Sequence, residues 1–203
     1  MTSNRAYAAG WSKDDPYGSE FAELRIGADR LSAVGVAIGN EPEPYRLDYS
    51  LETAAAFVTA RVEVETRGPS WRRRLVLERR DGVWTAATES DGGPGLPAPG
   101  GDMSRFDDAL DPDLALSPVF NTMPVLRHRL LAGGSAPELL MVWISVPDLA
   151  VHPSPQRYTY AGARDALHVV RFESDDFAED ILYDDTGVVV DYPGIARRLR
   201  RRR

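Results

Sequence analysis

The sequence predicts a mainly β protein, an antiparallel sheet of about ten or eleven strands curled into a barrel, roll or sandwich. Three observations carry this. Runs that alternate apolar and polar residues recur along the chain; the clearest sets Tyr45, Leu47, Tyr49 and Leu51 between Arg46, Asp48 and Ser50, the period of a half-buried strand. Turn signals separate the runs at short spacing. Helical patterns are scarce and do not alternate with the strands, and a sheet of this many strands curls or splits.

Taken in order, Trp11 to Gly18 reads as an entry loop, and β patterning begins after Glu20, where Ala22, Leu24 and Ile26 alternate with Glu23 and Arg25. Val34, Val36 and Ile38 alternate with small residues. The stretch from Leu51 to Thr59 is ambiguous, because Glu52, Ala54, Ala55 and Ala56 favour helix. Val62 and Val64 restore the strand period, and Trp71 to Arg80 follows. Asp81-Gly82 between two alternating runs is a hairpin signal, returning the chain through Gly82 to Thr88. Residues 92–101 hold eight Gly or Pro in ten positions and are expected to form a long surface loop within a single domain spanning 1–203.

Asp111 to Leu130 is neither clean helix nor clean strand. Pro112, Pro118 and Pro124 recur every six residues, each fixing its own φ and biasing the residue before it toward extended geometry. Leu139 to Val146 is an apolar run around Trp143 and reads as a strand buried on both faces. Strands are expected over Gln156 to Gly162, Ala166 to Glu173, Phe177 to Tyr183 and Gly187 to Tyr192, with a short basic helix from Ile195. No internal repeat is present.

Composition bounds the function. A hydrophobic fraction of 43% and a charged fraction of 27% are those of a globular protein, and a domain of this length buries roughly 70% of its unfolded surface. The absence of cysteine excludes disulfides and thiolate metal sites. The first fifteen residues lack the apolar core of a secretory signal, and no run of about 18 apolar residues could span a bilayer; the expected location is cytoplasmic. Six of the 24 basic residues lie in the last seven positions, so residues 1–196 carry 18 basic and 31 acidic side chains, a net of −13. That acidic body repels nucleic acid, and no nucleic-acid partner is expected. The basic tail, 197–203, reads either as a solvated terminus or as a local interaction patch.

No motif spells out a reaction. His128, His152 and His168 have no paired spacing, and the cluster Asp107, Asp108, Asp111 and Asp113 lacks the glycine and distal glutamate of a calcium loop. Asp111 and Asp113 read as turn caps before Leu114. No nucleophile elbow or phosphate-cradling glycine loop occurs. No metal or cofactor is implied. Trp84, Trp143, Tyr158 and Tyr160 read as core aromatics, and Arg72, Arg73 and Arg74 as a solvated face.

Three stretches together resemble one family: Asp111-Pro-Asp-Leu through Ser117-Pro-Val-Phe-Asn-Thr-Met-Pro-Val125, Val146-Pro-Asp-Leu through Gln156-Arg-Tyr158, and Phe177 through Asp184-Asp-Thr-Gly-Val-Val-Val-Asp-Tyr-Pro-Gly194. Trp11, Glu20, the Tyr49 strand and Trp84 fit the same register. The chain is similar to the glycolipid-binding family of bacterial proteins, long catalogued as a domain of unknown function. The resemblance implies a half-closed antiparallel sheet, a spiral β-roll with few short helices, shaped like carriers that hold acyl chains in an apolar cavity. Where the family reads Thr-Asn-Thr-Leu-Pro-Ile-Arg-Arg, this chain has Phe120 for the first Thr and Leu126 for the first Arg, and keeps Arg127. The expectation that follows is a non-catalytic lipid or glycolipid binder, with Asn121, Thr122, Arg127, Gln156, Tyr158, Asp191 and Tyr192 as candidate head-group residues. Each could equally satisfy local backbone or close a strand. An enzyme acting on a sugar, lipid or nucleotide-linked intermediate is the alternative and would need convergence of groups such as Asp111, Asp113, Arg127 and His128. An interaction module using the basic tail is a third reading.

Overall fold

The computed structural model describes residues 5–93, 95–175 and 177–199. They form a single curved sheet of 14 strands that does not close. The first seven, β1 (Arg5–Asp14), β2 (Tyr17–Ile26), β3 (Leu31–Gly39), β4 (Tyr45–Thr53), β5 (Thr59–Arg67), β6 (Arg72–Arg80) and β7 (Val83–Asp91), make an antiparallel meander. The second seven are β8 (Asp111–Leu114), β9 (Leu139–Ile144), β10 (Val151–Arg164), β11 (Leu167–Ser174), β12 (Phe177–Tyr183), β13 (Val189–Tyr192) and β14 (Ala196–Arg198). The sheet runs from β7 back to β1, crosses to β14, and runs back to β8. Every pairing is antiparallel except β8 with β9. The fold is therefore mainly β, as the alternation predicts, and rolled into a half-barrel, as the family resemblance implies.

Three strands were not legible. The entry loop expected at Trp11–Gly18 is the end of β1 and its hairpin into β2, because Ala9, Trp11 and Lys13 alternate inward. β8 hides behind its prolines. The basic helix expected from Ile195 is strand β14, with Trp11 opposite Arg198 and Asp191 opposite Arg197. β14 is the seam between the two halves. Arg198 fastens it, donating to the carbonyls of Val188 (2.6 Å) and Val189 and to Asp184 (2.6 Å). The remaining tail, residues 200–203, lies outside the described residues.

The Asp81-Gly82 hairpin forms as expected, with φ of 52° and 85° at its two central residues, the left-handed pair of a type I′ turn. The alanine-rich stretch after Leu51 gives only a single 3-10 turn at Ala55–Phe57. In β3 the alternation is inverted: Val34 and Ile38 face solvent while Ala33 and Ala37 face inward. The tyrosines of β4 explain this. A Cβ on Gly35 would lie 2.3 Å from the Tyr49 ring, and one on Gly39 equally close to Tyr45, so the inward face of β3 must be small to admit the rings.

The interior of the curve is filled by the proline-punctuated stretch. After β8 the chain makes a 3-10 turn at Pro118–Asn121 and one short helix, α1 (Thr122–Arg127). Val119, Phe120 and Met123 are fully buried in one cluster with Trp11, Leu24, Tyr49, Leu51, Val64 and Leu77 from the first half. Val125 is buried in a second cluster with Tyr158, Val170, Ile181, Tyr183 and Tyr192. Phe120 meets Tyr49 edge to face, with ring centroids 5.4 Å apart. Residues 92–101 form no strand or helix among those described; Gly100 alone bridges to Ala150. No helix among the described residues is long and apolar enough to cross a membrane.

Candidate functional site

The sheet register builds a cleft over the second half. Asp113 of β8 stands opposite Trp143 of β9, which stands opposite His152 of β10. Residues in one row of a sheet share a face, so these three project together. On β10, His152, Ser154, Gln156 and Tyr158 share that face by the two-residue period. Phe172 and Ser174 of β11, Phe177 of β12 and Tyr192 of β13 continue it. All of these except Tyr158, which is fully buried beneath them, line with Leu114, Leu116, Ser117, Asn121 and Ile195 an open cleft of about 730 Å³. Trp143, expected in the core, is half-exposed as part of this wall.

The floor is a connected polar chain. Gln156 Nε2 donates to Asp113 Oδ2 at 2.6 Å, Tyr158 Oη donates to Gln156 Oε1 at 3.0 Å, and Asn121 Nδ2 donates to Tyr158 Oη at 3.0 Å. Asp113 Oδ1 has no hydrogen-bond partner among the described residues. Asp113 is set among protein atoms yet opens on the cleft, and burial pushes its carboxyl up to about 6, opposed by the Gln156 bond. Burial and then the Asp113 charge raise the phenols of Tyr183 and Tyr192 far above the ordinary tyrosine range, so both are neutral hydroxyls at physiological pH. The Tyr183 hydroxyl is buried without a partner among the described residues. Above the floor, Phe172, Phe177 and Tyr192 form a triangle of rings with centroids 5.9 to 6.3 Å apart.

Of the seven residues singled out in the sequence, the fold brings four to this place: Asn121, Gln156 and Tyr192 line the cleft, and Tyr158 supports its floor. Three lie elsewhere. Arg127 is committed to Asp111, with Nη2 to Oδ2 at 2.6 Å, and to the carbonyls of Ala56 and Phe57. Thr122 is fully buried at the start of α1. Asp191 pairs with Arg197 at 3.3 Å. Asp111 and Asp113 do not cap a turn; both are strand residues of β8 holding buried or half-buried partners. Phe120 and Leu126, the two departures from the family pattern, pack in the interior, Leu126 against the turn at Gly187. No group of three or more potential metal-ligating side chains converges among the described residues.

What sequence reading missed was Asp113, together with the aromatic wall. The available signal was the shared period of Ser154, Gln156 and Tyr158, which fixes one face of β10. The parallel register that brings Asp113 to that face is not written locally.

A family model described as "Putative glycolipid-binding" matches residues 8–198. The chain belongs to that family. A crystal structure of a DUF1089 family protein from Pseudomonas aeruginosa is 30% identical, superposes with a TM-score of 0.65, and covers 89% of this chain and 92% of its own. Among curated proteins, none matches the chain. The three stretches that carry the family resemblance map onto the site: the first supplies Asp113 and Asn121, the second Gln156 and Tyr158, the third Phe177 and Tyr192.

Proposed function

We propose that this glycolipid-binding family member binds the sugar head group of an uncharged glycolipid in the cleft between β8 and β13. The observation that supports it most is Asp113, a carboxylate with one oxygen bonded to Gln156 and the other without a partner among the described residues, at the floor of an otherwise largely apolar cleft. A carboxylate accepts hydrogen bonds from adjacent hydroxyls, and such bonds are stronger than neutral ones. The mixture of an aromatic wall with a few placed polar groups is that of a small-molecule site.

Charge narrows the ligand. Among the described residues the cleft is lined by Asp113, Asp175 and His152, and by no lysine or arginine. Arg127, the one basic residue expected to meet a head group, is committed to Asp111. A phosphate or sulfate would meet carboxylates with no compensating cation, so a neutral sugar fits and an anionic lipid does not. Leu116, Trp143 and Ile195 offer apolar surface to the first methylenes of an aglycone, each buried CH₂ contributing about 0.8 kcal/mol.

Titration with a short-chain alkyl glycoside, read by the fluorescence change of Trp143, tests this. Saturable binding that weakens at least about 10-fold in Asp113→Asn is expected, the loss of one charge-assisted bond. Trp143→Phe identifies the signal among the four tryptophans. Equal binding by the wild type and Asp113→Asn, or preference for an alkyl sulfate over the glycoside, would sink the proposal.

A further inference from the structure

The sheet leaves one long edge open. β7 pairs with β6 over its whole length, Arg72 opposite Asp91 through to Arg80 opposite Val83, without a register shift. On its other side it pairs with no strand among the described residues. Of its nine residues only Trp84 is buried. In the loop that follows, Gly100 lies against the side chains of Thr88 and Leu75, which share one face of the sheet. Natural edge strands are protected by charged side chains, proline, bulges or short length; Val83–Asp91 has no lysine, proline or bulge, and its two charges, Glu89 and Asp91, lie together at one end.

The turn geometry fixes which groups face outward. A two-residue type I′ hairpin makes Arg80 and Val83 a hydrogen-bonded pair, and bonded pairs then alternate. Thr85, Ala87, Glu89 and Asp91 therefore bond to β6. The N–H and C=O groups of Trp84, Ala86, Thr88 and Ser90 point away from the sheet.

We propose that β7 is a homodimerisation edge, pairing antiparallel with β7 of a second copy about a two-fold axis at Ala87. In this register Ala86 faces the partner's Thr88 and Trp84 faces the partner's Ser90, so every outward backbone group meets its complement. Ala87 meets its own copy at a non-hydrogen-bonded site, where Cα atoms approach to about 4.5 Å and small side chains fit best. The strand is acidic only at one end, and antiparallel pairing sets Glu89 against Thr85 and Asp91 against Val83, separating like charges. Arg80, whose side chain is 80% exposed, then lies two strands from the partner's Asp91 on the same face, about 10 Å away and within reach of an extended guanidinium. The second copy is thus favoured over an unrelated strand by the self-complementarity of both backbone and charge. This contact is independent of the cleft, which lies on the other half of the sheet.

The chain contains no cysteine, so single cysteines report the contact directly. Under mild oxidation Ala87→Cys is expected to form a covalent dimer, because the two Cβ atoms meet at disulfide distance. Val83→Cys, which faces Asp91 in the dimer, is expected to remain uncrosslinked. In sedimentation velocity the wild-type full chain is expected to dimerise. Ala87→Lys, an exposed change that puts two ammonium groups face to face, is expected to raise the dimer dissociation constant at least about 30-fold, with an unchanged circular dichroism spectrum. A monomeric wild type overturns the proposal, as does a dimer insensitive to Ala87→Lys or equal cross-linking at positions 83 and 87.

Discussion

Gln156 holds Asp113 at 2.6 Å across the floor of the cleft, and that bond joins two parts of the chain 43 residues apart through a parallel strand pairing. It orients one carboxylate oxygen and leaves the other for a ligand. It also only partly offsets the cost of setting a charge among protein atoms.

That cost is measurable. The folded-state pKa of Asp113, about 6, lies above its ordinary value of 3.8. The folded chain therefore holds an extra proton between these values, and its stability falls as the pH rises through that window. Asp113→Asn removes the penalty. Because the side chain is partly open to the cleft, the expected gain at pH 7 is about 1–2 kcal/mol, shrinking toward zero near pH 4. Urea unfolding of both proteins at the two pH values checks the size and the sign. A site that gains stability while losing binding is one built for a ligand.

Arg127 and Asp111 form a nearly buried ion pair, with side-chain exposures of 9% and 0%. Arg127→Met leaves the Asp111 charge buried and uncompensated, and is expected to cost about 3–5 kcal/mol. Adding Asp111→Asn should recover at least about half of that. Chemical denaturation of the single and double variants gives the coupling directly.

The seam at β14 separates two neighbouring arginines. Arg198→Ala removes an ion pair to Asp184 and bonds to two carbonyls, and is expected to cost about 2–4 kcal/mol. Arg197 is 74% exposed, and Arg197→Ala is expected to stay within about 0.5 kcal/mol of the wild type. Thermal unfolding of the two variants side by side makes the comparison.

Gly35→Ala would place a Cβ 2.3 Å from the Tyr49 ring, and the ring would have to shift, disturbing its edge-to-face contact with Phe120 and its hydroxyl's bond to Glu20. The expected cost is about 1–3 kcal/mol. In a double-mutant cycle with Tyr49→Leu, the two changes should couple by at least about 1 kcal/mol.

Period-two patterning makes most of the sheet legible, the apolar run around Trp143 marks β9, and the Asp81-Gly82 turn falls where its chemistry requires. What failed had a physical cause. β3 was read with Val34 and Ile38 alternating as if for burial, but the tyrosines of the next strand decide which face is small. β14 resembles a basic helix in sequence because three residues cannot show a period, and only its partners, β1 and β13, make it a strand. Asp113 resembles a turn cap because local sequence cannot reveal a parallel pairing with β9 across the intervening helix. The family signature did locate Asn121, Gln156, Tyr158 and Tyr192 around one cleft, while Arg127 and Asp191 went to ion pairs that composition alone does not distinguish from head-group contacts.

The most direct test is a crystal structure of the protein soaked with a short-chain alkyl glycoside. The expected result is a sugar ring in the cleft over Phe177 and Tyr192, with two hydroxyls within hydrogen-bond distance of Asp113. A ligand bound elsewhere on the sheet, or a cleft holding only water at saturating glycoside, would contradict it.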